Sequence, residues 1–384
     1  MNVSTVLTGC GAVLMVCASV VPATAQVRVD QTNLVSDIPG LARLTDPDLV
    51  NAWGVSFGPT SPFWISDNGM GLATLYSVPG SGPPSVSKVG LIVTIPPTAG
   101  GTTSAPTGQV FNGGPGFGGA VFLFASEDGV ISSWNGSGTT AVVDKDFGSA
   151  AVYKGLAISD PGLSDAVLYA TNFRAGTIEA YNSSFAPAGL PGNFTDPNLP
   201  QGYAPFNDKV IDGELYVTYA KQDAEKHDDE AGAGNGFVDI FNLDGTLKER
   251  LISQGALDSP WGLAIAPSSF GSFAGDLLVG NFGNGMINAY NATTGAFVGA
   301  LDGNDGSPLV IDGLWGLTVG NGSAAGGSLD TLFFTAGPNG ESDGLFGSLA
   351  VPEPSTWAML LIGFAALGFA AYRRTKTSIG ITSA

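Results

Sequence analysis

Histidine occurs once in the 384 residues, cysteine twice and basic side chains 14 times, and each scarcity removes a class of chemistry. Both cysteines, Cys10 and Cys17, precede residue 26 inside an apolar N-terminal run. A chain cut after that run holds no disulfide, no thiolate nucleophile and no zinc–thiolate site. The lone His227 sits in Lys226-His227-Asp228-Asp229-Glu230, within a hydrophilic insertion from Ala220 to Gly236. A Ser-His-Asp triad would need that insertion to fold over a distant site, and its composition reads instead as a solvated loop. With 33 acidic side chains the formal charge is −19, which excludes a nucleic-acid binder that relies on a basic surface. No Gly-Lys-Ser/Thr loop, His-Glu-x-x-His or Cys-x-x-Cys-His is present, so nucleotide hydrolysis, zinc proteolysis and haem attachment have no support.

What is there is glycine, 57 residues, and proline, 24, together with a hydrophobic content of 44 %, enough for a large core and unlike a disordered chain. Val6 to Val21 is an apolar run that ends at Ala23-Thr24-Ala25, the small-x-small pattern of a signal-peptidase site. Residues 1–25 therefore read as a secretory signal, with cleavage after Ala25 and Gln26 as the mature start. At the other end Pro352-Glu353-Pro354 leads into the apolar stretch Ala358 to Tyr372 and then Arg373-Arg374. The stretch is short of the roughly 20 residues that span a bilayer comfortably, yet sufficient in a thinned one. The arginines would stay cytoplasmic, placing everything before Pro352 outside the inner membrane. Residues 351–384, with their Pro-Glu-Pro, short span and arginine cluster in that order, resemble the PEP-CTERM sorting signal. That resemblance implies handling by an exosortase-type processing enzyme in a Gram-negative bacterium that makes extracellular polysaccharide. The protein would pass transiently through the inner membrane and finish at the cell surface or outside it.

Between the two ends lies a repeat. Ala52-Trp53-Gly54-Val55, Tyr153-Lys154-Gly155-Leu156, Pro260-Trp261-Gly262-Leu263 and Leu314-Trp315-Gly316-Leu317 align, with degenerate members at Pro106-Thr107-Gly108-Gln109 and Phe206-Asn207-Asp208-Lys209. The six anchors at 54, 108, 155, 208, 262 and 316 are spaced by about 54 residues, and each opens a series of short runs alternating with period two. Four antiparallel strands per unit, six times over residues 26–350, predict an all-β six-bladed β-propeller. The third unit holds a proline-rich segment from Ala186 to Pro205 that should displace its outer strand. The sixth runs out of chain near Leu349, so an N-terminal strand within Val27 to Val35 should complete it. The Pro260 to Tyr290 unit resembles NHL-type propeller blades. The whole chain, through Asn33-Leu34-Val35-Ser36-Asp37 and Asn51-Ala52-Trp53-Gly54-Val55, resembles a family of PEP-CTERM-anchored proteins for which a propeller, and no activity, is implied.

In such a ring the start of each first strand and the end of each second strand share one rim. Asp67, Glu127, Asn172, Asn281 and Asp312 are the candidates for a funnel there, where carboxylates and amides could gather around Ca²⁺ or Mg²⁺. Asn and Asp are also what tight turns favour. Sugar-lactonase-like propellers use an axial oxygen set without histidine, so the resemblance keeps a metal-dependent lactone hydrolase open. The recurring Trp53, Trp261 and Trp315 read most simply as packing between units. The first expectation is a module with no catalytic residues and no resident cofactor, binding extracellular polysaccharide or an envelope protein. The divalent-metal sugar-lactone hydrolase is the alternative.

Overall fold

The computed structural model describes residues 26–82, 84–160, 162–352, 363–369 and 372–373. Signal residues Ala23 and Ala25, sorting residues Glu353, Pro354 and Arg374, and residues 358–362, 370 and 371 of the C-terminal apolar stretch lie outside them. Gly363 to Phe369 is helical, and among the described residues no helix is long and apolar enough to cross a membrane.

The architecture is all-β and propeller-like. After β1 (Val27–Ser36) and the two-residue β2 (Leu44–Thr45) come β3 (Ala52–Ser56), β4 (Phe63–Asp67), β5 (Leu72–Ser77) and β6 (Ser87–Thr94), which form the first group. The second holds β7 (Pro106–Phe111), β8 (Phe122–Ser126), β9 (Val130–Trp134) and β10 (Val142–Asp146). The third has three strands, β11 (Tyr153–Ile158), β12 (Leu168–Asn172) and β13 (Thr177–Tyr181). The fourth has β14 (Tyr203–Ile211), β15 (Glu214–Lys221), β16 (Phe237–Asn242) and β17 (Leu247–Ser253). The fifth comprises β18 (Pro260–Ile265), β19 (Leu277–Asn281), β20 (Ile287–Tyr290) and β21 (Phe297–Gly303), and the sixth β22 (Leu314–Val319), β23 (Leu332–Ala336) and β24 (Leu345–Ala350).

Each group is an antiparallel meander in chain order, and β1 supplies the outer place of the sixth by pairing antiparallel with β24. Its first residues also pair parallel with β21 (Val27 with Leu301, Val29 with Gly303), so the fifth and sixth groups merge into one nine-stranded sheet. In the third group Tyr181 pairs with Leu168 of β12 on its inner side and makes only an isolated bridge to Pro187 on its outer side, where proline cannot donate to a ladder.

The first strands β3, β7, β11, β14, β18 and β22 neighbour one another in a closed circuit. The repeated glycine makes this possible. A Cβ on Gly54 would lie 2.3 Å from Thr107 O, and one on Gly108 2.4 Å from Leu156 N, so only hydrogen fits where one inner strand meets the next. Apolar side chains fill the six seams. Trp64, Phe122 and Phe124 join the first two groups, and Phe63, Phe333 and Phe346 join the sixth to the first. A seventh cluster stands on the axis: Trp53, Phe173, Phe206, Trp261 and Trp315, with Phe282 against it.

Candidate axial site

The residues directly after the six second strands are Asn68, Glu127, Phe173, Gln222, Phe282 and Gly337. Among them, Asn68, Glu127, Phe173 and Phe282 belong to the central layer or the cluster beneath it. Phe173 and Phe282 are floor. Phe282 stacks on Trp315 at a centroid separation of 3.9 Å, and Trp315 stacks on Trp53 at 3.6 Å. Trp261 meets both edge-on, at 5.9 and 6.1 Å. The three tryptophans therefore seal the axis as a plug, which is packing, but around the central hole rather than in the seams.

Above the plug sits a hydrogen-bonded polar layer. Lys154, second residue of β11 and 2 % exposed, places its Nζ 5.0 Å from the Trp53 ring centre. It is ion-paired with Glu127 Oε1 and, at 3.1 Å, with Asp228 Oδ1. Asn68 Nδ2 donates to the other Glu127 oxygen at 2.9 Å. Asn51 Nδ2 donates to Asn68 Oδ1 (3.1 Å) and Glu341 Oε2 (2.7 Å), while its Oδ1 accepts from the indoles of Trp53 (3.0 Å) and Trp315 (3.2 Å). Asn51 holds this position with φ of 49°, a left-handed conformation that asparagine tolerates. Gly337 leaves room for it, since a Cβ there would come within 2.1 Å of Asn51 Oδ1.

Charge settles around the ammonium. Burial works against Lys154, but Glu127 and Asp228 outweigh it and hold its pKa above the ordinary lysine value. The hydrogen bond with His227 (Nδ1 to Oδ1, 2.9 Å), helped by Lys154, keeps Asp228 far below the usual carboxylate range. The same bond raises His227. Glu341 is pushed up, mainly by burial, against the opposing bond from Asn51. Glu127, His227 and Asp228 each offer a ligand atom within 4.8 Å of the others. The Lys154 ammonium already supplies the cation those carboxylates call for.

Of the five residues expected in the funnel, the structure brings only Glu127 into this layer. Asp67 ends β4 fully buried; burial drives its carboxyl well above the ordinary range, and its charged surroundings are Asp46, Asp48 and Lys88. Asn172 ends β12, where its Oδ1 accepts from the Ala175 N–H and its Nδ2 donates to Glu179. Asn281 ends β19 and donates to Ala256 O and Asn284 Oδ1. Asp312 is exposed and caps the Asn339 N–H at 2.8 Å. Asp67, Asn172 and Asn281 each miss the axis by one residue, which in a period of two sends the side chain to the wrong face.

His227 is the opposite correction. The insertion read as a solvated loop folds over the funnel and delivers Asp228 to Lys154. Two backbone bonds anchor it, Asp223 N–H to Asp228 O and Glu230 N–H to Lys221 O, both 2.8 Å. Glu341, the remaining unexpected member, comes from a short turn, Pro338–Glu341, after β23. Aligning the turns that follow the second strands would have found it beside Asn339.

On the other side of the tryptophan plug the inner strands line an open-mouthed cavity of about 380 Å³. Lys209 of β14 reaches across to donate to Leu263 O (2.8 Å) and Leu317 O (3.0 Å). Burial lowers its pKa to about 8 from 10.5. Between those two values the unfolded chain carries a proton that the folded one lacks, so stability attributable to this group rises with pH across that window. Below the window the whole penalty is present, on the order of 3 kcal/mol. Denaturant melts of wild type and Lys209→Met from pH 7 to 11 should show wild type gaining on the variant through that interval; parallel curves would contradict it.

Residues 350–374 match the PEP-CTERM protein-sorting motif, which implies export across the membrane to the bacterial cell surface and processing by an exosortase-type enzyme. Among solved structures, the alpha-L-arabinanase of Penicillium chrysogenum complexed with arabinobiose superposes with a TM-score of 0.51 at 10 % identity, covering 86 % of this chain and 99 % of that one, a likeness of fold alone. In sequence the chain is 34 % identical over 335 residues to Uncharacterized protein R648 of Acanthamoeba polyphaga mimivirus, covering 82 % of this chain and 78 % of the relative. Uncharacterized protein L690 of the same virus is 33 % identical over 341 residues, covering 82 % and 84 %. The chain belongs to the family that contains R648 and L690.

Proposed function

We propose that the body, residues 26–350, is a six-bladed β-propeller exported behind the residue 1–25 signal. Exosortase-type processing at the Pro352-Glu353-Pro354 motif would deliver it to the surface of a Gram-negative cell. There it acts as a non-catalytic binding or structural module among extracellular polysaccharide and envelope proteins. One observation carries the non-catalytic part: the Lys154 ammonium lies between Glu127 and Asp228, where a divalent cation would have to sit. An internal cation leaves those carboxylates neither free to bind metal nor free to act as a base. Asp67, Asn172, Asn281 and Asp312 lie outside the layer and add no oxygen to those of Glu127 and Asp228 there.

The grouping of Glu127, His227 and Asp228 favours one competing reading, the metal-dependent lactone hydrolase. Calorimetric titration with Ca²⁺ and Mg²⁺, paired with a lactone panel, separates the two. Wild type should show no saturable cation binding and no turnover, whereas Lys154→Met, which strips the carboxylates of their ammonium, should gain cation binding. Metal-dependent lactone turnover by wild type would overturn the proposal.

A further inference from the structure

Lys209, at the far end of the axis from Lys154, is a cation without an anion. Two of its three N–H donors go to the Leu263 and Leu317 carbonyls. No carboxylate lies within ion-pair distance of it among the described residues. Its neighbour Asp208 leaves the strand on the opposite face and acts electrostatically on Tyr169, between the third and fourth groups. One donor and a whole positive charge are thus left in a cavity walled mainly by apolar side chains, among them Val55, Leu156, Ile158, Leu263 and Leu317, with Ser56, Gln109, Ser159, Asn207, Asp208 and Thr318 also in its lining.

The geometry points to this cavity as a binding site for a small monocarboxylate with an apolar body, the carboxylate taken by the Lys209 ammonium and the hydrocarbon by the strand side chains. One lysine balances one negative charge, so a monocarboxylate matches the site better than a phosphate dianion, and the aliphatic part of the lining suits a hydrocarbon body. The volume of about 380 Å³ falls in the range of roughly 300–1,000 Å³ typical of small-molecule sites. Burial has already weakened the hold of Lys209 on its proton, and a carboxylate would restore it. A charge-assisted hydrogen bond in a site of low polarity also discriminates sharply between an acid and its neutral analogue.

The site lies beyond the tryptophan plug, so it does not depend on how the Glu127–Lys154 layer is read. Calorimetry at pH 7 with hexanoate and phenylacetate, against hexanol and hexylamine, tests it on the wild-type protein. The acids should bind about tenfold or more tighter than the alcohol, and the amine should not bind. Lys209→Met, checked by its thermal melt to be folded, should lower the acids to the level of the alcohol. Failure of the acids to bind, equal affinity for acid and alcohol, or acid binding that survives in the folded variant would each overturn the assignment.

Discussion

Removing residues 26–36 should abolish the folded protein. β1 is the outer strand of the sixth group and touches the fifth, so its loss leaves β24 with a bare edge and opens the seams on both sides. Val27, Val29, Leu34 and Val35 are all buried, the last two with no exposed surface. At about 1.5–3 kcal/mol for each buried aliphatic side chain, the four supply roughly 6–12 kcal/mol, comparable to the entire stability of a typical domain. The truncated protein should elute as aggregate from a sizing column and show no cooperative melt, and a peptide spanning residues 26–37 added in trans should recover part of the fold. A deletion that melts within a few degrees of the parent would show that the ring does not depend on this strand. A signal cut between Ala25 and Gln26 would fall one residue before β1, sparing the whole of it.

Glu127→Ala should be the costliest single substitution in the polar layer. It strands the Lys154 ammonium with Asp228 alone, a carboxylate 64 % exposed on an insertion. Breaking a buried pair from one side costs about 3 kcal/mol or more, because the remaining charge keeps its desolvation penalty. For a body of this size that is a fall in melting temperature of about 5 °C. Combining it with Lys154→Met should return much of the loss, since removing both charges removes the penalty together with the attraction. Strictly additive effects in that double-mutant cycle would mean the two groups are not coupled.

The architecture was legible because its cause is local. The anchor glycine recurs where inner strands approach within a Cβ's radius, at 54, 108, 155, 262 and 316, so a steric requirement is written into five of the six units at the same place, Asp208 standing there in the fourth. The missing outer strand of the third group and the closing role of β1 follow in the same way, from prolines and from chain running out. The site was less legible, and for two different reasons. At the ends of the second strands, asparagine and aspartate serve the turns, while the axis is faced by the next residue. That residue is polar in Asn68 and Glu127 but aromatic in Phe173 and Phe282, so the Asn/Asp pattern marks turns rather than ligands. The insertion carrying His227 and Asp228 has a composition suited to water. What draws it inward is a lysine 74 residues earlier in the chain, brought near only once the ring has closed.

The central claim is that an internal ammonium, and not a metal ion, neutralises the carboxylates on the axis. A crystal structure grown from millimolar calcium, with anomalous data collected to locate the ion, tests it most directly. The account predicts that the density between Glu127 and Asp228 is Lys154 Nζ, continuous with its side chain and resting over Trp53. An anomalous peak at that point, with Lys154 swung aside and three or more protein oxygens around the ion, would contradict it.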